Sequence, residues 1–110
     1  MSIINEQMQE NTTQLPKDAT AFFERADNII SLANSQLSPT SHAGQVAASL
    51  TYAAARFAVS AASIGFVKGD DFIKEKEDII AFYTKQYQQM LADNIEDYAS
   101  NFEKYTGIGG

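Results

Sequence analysis

The sequence predicts an all-α protein: a three-helix antiparallel bundle with a long C-terminal helix, completed by dimerisation. Three observations lead there. From Asp70 to Lys104, thirty-five residues run without proline or glycine. Within that stretch bulky side chains recur every eleven residues: Phe72, Tyr83 and Tyr105, with Asn94 between them; Ile80, Leu91 and Phe102; Tyr87 and Tyr98. Two earlier segments carry apolar residues at spacings of three and four, and neither matches the third in length.

Residues 1–16 are rich in Gln, Asn, Glu and Thr and show no sustained period. They read as a flexible polar tail ending at Pro16. They have neither a basic n-region nor an apolar h-region, so a secretory leader is not expected. Residues 17–106 read as one helical domain, and residues 107–110 as a frayed glycine-rich end.

Helix one is expected over Lys17 to Gln36. Phe22, Ala26, Ile29, Ile30, Ala33 and Leu37 fall on one face, and Glu24, Asp27, Ser31, Asn34 and Ser35 on the other. Ser38-Pro39 stops it, because a residue before proline avoids the α region. Helix two is expected over Ala43 to Phe66, with Ser41 as its N-cap. Val46, Leu50, Phe57, Ala61 and Ile64 mark its apolar face. Nine alanines between Ala43 and Ala62 allow close approach of neighbours, which places this helix at the centre of the bundle. Its apolar run raises the membrane question. Arg56 answers it, since a charge at mid-bilayer costs at least about 2.5–3.5 kcal/mol.

Gly65 and Gly69 bracket the turn into helix three, with Asp70 as its N-cap. A period of eleven residues in three turns is 3.67 per turn, which suits a straight rod of about 52 Å at about 1.5 Å per residue. Helices one and two reach only about 30 and 36 Å on the same scale. Ile95, Tyr98, Phe102 and Tyr105 therefore project past them and form the candidate interface with a second copy. A competing geometry places a kink at Asn94, which would divide the rod and let four helices close as a monomer.

Composition excludes several classes. There is no cysteine, so disulfides and thiolate metal sites are ruled out. Fourteen acidic residues against eight basic ones give a net charge of −6, which disfavours binding to phosphate backbones or anionic membranes. No nucleic acid, membrane or cofactor is expected as a partner.

The segments FFERADNIISLAN (Phe22–Asn34), VAASLTYAAARF (Val46–Phe57) and FYTKQYQQMLADNIEDYASNFEKY (Phe82–Tyr105) resemble a proteobacterial family of small proteins, domain of unknown function 3144. The resemblance spans Phe22 to Tyr105. It implies a bacterial, soluble, helical protein and carries over no catalytic residue.

The chemically equipped residues point the same way. Arg25 and Arg56 are the only arginines. Arg56 is expected to form a bidentate ion pair with Asp27, Asp97 or Glu24, with its stem packed on apolar neighbours; an anion contact is the other reading. Glu75, Glu77, Asp78 and Asp93, Glu96, Asp97 read as solvated helix faces, because no Glu-x-x-His pair and no EF-hand turn accompany them. His42 is the single histidine and reads as an exposed loop-flanking residue. No P-loop, cysteine nucleophile or G-x-S-x-G is present, so no metal or catalytic site is expected. The reading these residues support is a non-catalytic interaction or adaptor protein acting as a cytoplasmic homodimer, with an unidentified protein partner open. The alternative is a small-molecule binder with an apolar pocket lined by Phe57, Tyr83 and Tyr87 and an anion contact from Arg56.

Overall fold

The computed structural model describes residues 19–108. The expected tail at 1–16, the first residues of helix one and the last two glycines lie outside them. The described chain is all-α, with no strand beyond an isolated bridge between Ser38 and Ser41. Within the span read as one domain, the chain divides into two compact units, Met1–Phe66 and Val67–Gly110.

The first unit holds two helices, α1 (Thr20–Ser35) and α2 (Ala43–Ala62), which contact each other. Between them Ser38 and Ser41 exchange both backbone hydrogen bonds, at 3.0 and 3.1 Å, around Pro39 and Thr40. Proline presets the φ that the second position of such a turn needs.

That bridge occupies the backbone of Ser41, and the N-cap of α2 is His42 instead. His42 is extended (φ −83°, ψ 169°). Its Nδ1 accepts the Gln45 backbone N–H at 3.3 Å, and Gln45 Oε1 accepts the His42 N–H at 2.9 Å. This reciprocal capping box satisfies two donors that a helix start otherwise leaves orphaned. Gly44 makes room for it: a Cβ there would stand 3.1 Å from His42 Cε1 and 3.3 Å from Nδ1.

Helix α2 ends at Ala62, four residues before the expected Phe66. The Ser63 hydroxyl donates to the Ser60 carbonyl at 2.7 Å. Gly65 follows in the left-handed region (φ 95°), where a residue without Cβ is favoured.

The buried residues of the described chain are Val46 and Ala62. On α1, Phe22, Ala26 and Ala33 are half-buried while Ile29, Ile30 and, just past the helix, Leu37 are exposed. On α2, Ala58 and Ala61 are half-buried while Leu50, Phe57 and, just past the helix, Ile64 are exposed. The expected faces are thus covered mainly at their small residues.

In the second unit the expected rod is interrupted twice. It comprises α3 (Gly69–Ile73), α4 (Lys76–Ser100) and α5 (Phe102–Thr106). Lys68, not Asp70, is the N-cap of α3; its carbonyl accepts the N–H groups of Asp71 and Phe72, each at 3.1 Å. Asp70 and Asp71 fall in the first turn, where the helix dipole favours negative charge. Glu75 (φ −90°, ψ 4°) separates α3 from α4.

Helix α4 then runs unbroken for 25 residues, about 37 Å at about 1.5 Å per residue. It passes straight through Asn94, whose Nδ2 donates to the Met90 carbonyl at 2.8 Å. The competing kink at Asn94 is therefore not present. The break falls at Asn101 (φ −126°, ψ 33°). Gly107 closes α5 in the left-handed region (φ 70°), its N–H donating to the Glu103 carbonyl at 2.8 Å. The end expected to fray at residue 107 is instead a formed C-cap.

The cap on α2 is open to a direct test. His42→Ala removes the acceptor and should cost about 1 kcal/mol in chemical denaturation, whereas His42→Asn, a good N-cap, should retain most of it. Equal stability for all three proteins would rule out the capping box as a stabilising element.

Candidate functional site

The aromatic end of α4 and α5 is the part of the candidate surface with the most internal structure. Tyr98 points along the helix toward Tyr105, and their ring centroids lie 4.6 Å apart at 37°. The Tyr105 hydroxyl donates to Asp97 Oδ2 at 2.9 Å. Asn101 Nδ2 donates to Asp97 Oδ1 and to the Asp97 carbonyl, both at 3.1 Å. Asp97 is thus the hub that ties the break at Asn101 to the ring of Tyr105. Lys104 Nζ sits 5.6 Å from the Tyr105 ring centroid. The hydrogen bond to Asp97, followed by desolvation and the neighbouring negative charge, pushes the Tyr105 phenol above its ordinary value of about 10.

The four candidate interface residues all remain exposed: Ile95 at 60 %, Phe102 at 52 %, Tyr98 at 50 % and Tyr105 at 42 %. The break at Asn101 leaves Ile95 and Tyr98 on α4 and moves Phe102 and Tyr105 onto α5. Sequence reasoning found the aromatics and missed Asn101. The available signal was the Ser100-Asn101 pair, since both side chains compete for helix carbonyls.

The arginines are placed differently from the expectation. The one ion pair among the described residues joins Lys74 Nζ to Asp71 Oδ1 at 3.7 Å, with both side chains largely exposed. Such a pair contributes little. Neither Arg25 nor Arg56 has an ion-pair partner among the described residues, and neither Asp27 nor Glu24 provides one. The carboxylate of Asp97 is engaged by Tyr105 and Asn101. Arg56 instead lines an open depression on α2 with Tyr52, Ala53, Ala55, Phe57, Val59 and Ser60.

The residues of the candidate pocket differ in exposure. Phe57 is 77 % exposed and Tyr87 55 % exposed. Tyr83 is half-buried, its ring edge-on to Phe82 with centroids 5.2 Å apart, and partial burial pushes its phenol above the ordinary value. Phe57 belongs to the first unit, and Tyr83 and Tyr87 to the second.

No group of three His, Asp or Glu side chains that could hold a metal ion occurs among the described residues. None of their helices is long and apolar enough to cross a membrane.

The family model described as "Protein of unknown function (DUF3144)" matches residues 22–99. The chain belongs to the DUF3144 family. The DUF3144 match takes in α1 from Phe22, all of α2 and α3, and α4 to within one residue of its end. Asn101, Phe102 and Tyr105 lie beyond the matched span, which is shorter than the stretch from Phe22 to Tyr105 over which the resemblance runs. Neither a curated protein nor a solved structure matches the chain.

The Asp97–Tyr105 contact gives a pH-dependent signature. A raised phenol pKa means that the folded chain favours the neutral phenol. The contribution is therefore complete below about pH 10 and is lost as pH rises through the higher folded value. Titration of the Tyr105 ring followed by NMR should show the alkaline shift. Asp97→Ala should return it toward the ordinary value. A Tyr105 titration unaffected by Asp97→Ala would contradict the hydrogen bond.

Proposed function

We propose that this protein is a non-catalytic helical interaction module that acts as a homodimer in the bacterial cytoplasm. In this reading its helices form a three-helix antiparallel bundle, and the aromatic end of α4 and α5 is covered by the second copy. The observation that carries the reading is the uninterrupted course of α4 from Lys76 to Ser100 with Ile95 and Tyr98 exposed at its far end, continued by Phe102 on α5. Exposed aromatic and aliphatic side chains at one end of a rigid helix have the composition of an interface core, in which tyrosine and phenylalanine are enriched. An adaptor role follows if one dimer presents two equivalent outer surfaces to a further protein.

Sedimentation velocity on the full chain at micromolar concentration tests the proposal. The expected result is a dimer. Tyr98→Ser combined with Phe102→Ser is expected to shift it to monomer, with at least about a tenfold weaker dissociation constant, since aromatic anchors at interfaces each contribute on the order of 2 kcal/mol. A well-folded wild-type monomer would end this reading.

A second reading, a small-molecule binder, rests on Arg56, which lacks an ion-pair partner among the described residues beside Tyr52 and Phe57. Ligand sites normally bury most of a ligand's surface. Thermal-shift screening with small aromatic carboxylates tests it: stabilisation of the wild type that disappears in Arg56→Ala would support it.

A further inference from the structure

Helix α2 carries one charged residue, Arg56. Tyr52, Arg56 and Val59 stand at i, i+4 and i+7 along it, a spacing that puts them in one strip. Tyr52 is 67 % and Val59 50 % exposed. The strip is therefore apolar, accessible and singly positive.

The far end of α4 has the opposite character. Between Lys85 and Lys104 there is no basic residue, while Asp93, Glu96, Asp97 and Glu103 are acidic. Asp97 lies beside the Tyr98–Tyr105 ring pair and is held in place by Tyr105 and Asn101. Two hydrogen bonds leave a carboxylate about two further acceptor positions.

We propose that the Tyr52–Arg56–Val59 strip of α2 receives the aromatic, acidic end of α4 from a second copy of this chain, with Arg56 meeting the partner's Asp97. The inference rests on the homodimer reading and names its contact. Charge complementarity selects this pairing over α4 against α4, which would set two acidic helix ends side by side. The homodimer reading supplies a second copy of the chain as the occupant. Two-fold symmetry then produces the contact twice, each copy giving one strip and one helix end.

The test is a charge exchange between chains, read by sedimentation velocity on full-length protein. Arg56→Glu alone and Asp97→Arg alone each place like charges in both contacts, and each should weaken the dimer about tenfold or more. Mixing the two variants pairs Glu at position 56 with Arg at position 97 in one contact and leaves the native pair in the other. The mixture should recover the wild-type dimer as a heterodimer. Because the chain lacks cysteine, Arg56→Cys and Asp97→Cys chains give an independent measurement. Mixed, they should be joined between chains by a short bismaleimide, even if Asp97→Arg alone fails to fold. A wild-type monomer would remove the homodimer reading and this contact together. A dimer indifferent to both reversals, a mixture that does not recover, or the absence of cross-linking between chains would overturn the contact and leave the homodimer standing.

Discussion

The buried positions of the described chain are held by Val46 and Ala62, and the half-buried ones beside them on α2 by Ala58 and Ala61. Small side chains let two helices approach closely, but each removes little apolar area from water. At about 25 cal/mol per Å², burying a leucine, isoleucine or phenylalanine contributes about 1.5–3 kcal/mol, several times what a methyl group offers. The larger side chains of α1 and α2, among them Ile29, Leu32, Tyr52 and Phe57, are on the exposed side of that balance. Two helices share one interface, so a hairpin of this kind cannot enclose both of its apolar faces. The remaining faces are the part of the chain still able to gain by being covered.

The same economy explains why local hydrogen bonding controls the ends of the helices. With little packing to fix them, starts and stops follow side-chain chemistry. The periodicity of the sequence identified all three long helices, because a 3.6-residue pattern survives whether or not the face is covered. The exact termini depended on competition that a pattern does not show. Ser41 has the better capping side chain, yet its backbone is taken by the bridge to Ser38, and His42 with Gln45 takes the role. Asn94 and Asn101 have the same propensity. Asn94 donates to a carbonyl inside an intact helix, whereas Asn101 adds a second bond to the carboxylate of Asp97 and leaves the helical region. The difference lies in the residue four positions earlier, an acid (Asp97) for Asn101 and a methionine (Met90) for Asn94.

The candidate site was legible as a set of exposed aromatics and illegible as a constellation. Tyr98 and Tyr105 are seven residues apart, which a helical pattern places on one side. Nothing in that spacing reveals that Asp97 joins the pair, since an acid eight residues before a tyrosine reads as part of a solvated face. Once the break at Asn101 re-aims α5, the phenol of Tyr105 comes within 2.9 Å of the carboxylate. Arg56 is without an ion-pair partner among the described residues for a related reason. α2 offers no acid of its own, and the acids of α1, Glu24 and Asp27, give Arg56 no pair among the described residues.

An arginine in that position has two physical fates. Left in water it is well solvated and contributes little. Covered by another surface it must find a carboxylate, since a desolvated guanidinium without a partner costs several kcal/mol. Any surface that covers the strip therefore has to be both apolar and acidic. Within this chain that description fits the end of α4, where Tyr98 supplies the ring and Asp97 the charge. The requirement acts as a filter on partners, rejecting basic or purely apolar surfaces by leaving Arg56 unpaired. Specificity in so small a helical protein can rest on one buried charge, provided that its partner is already held in place, as Tyr105 and Asn101 hold Asp97.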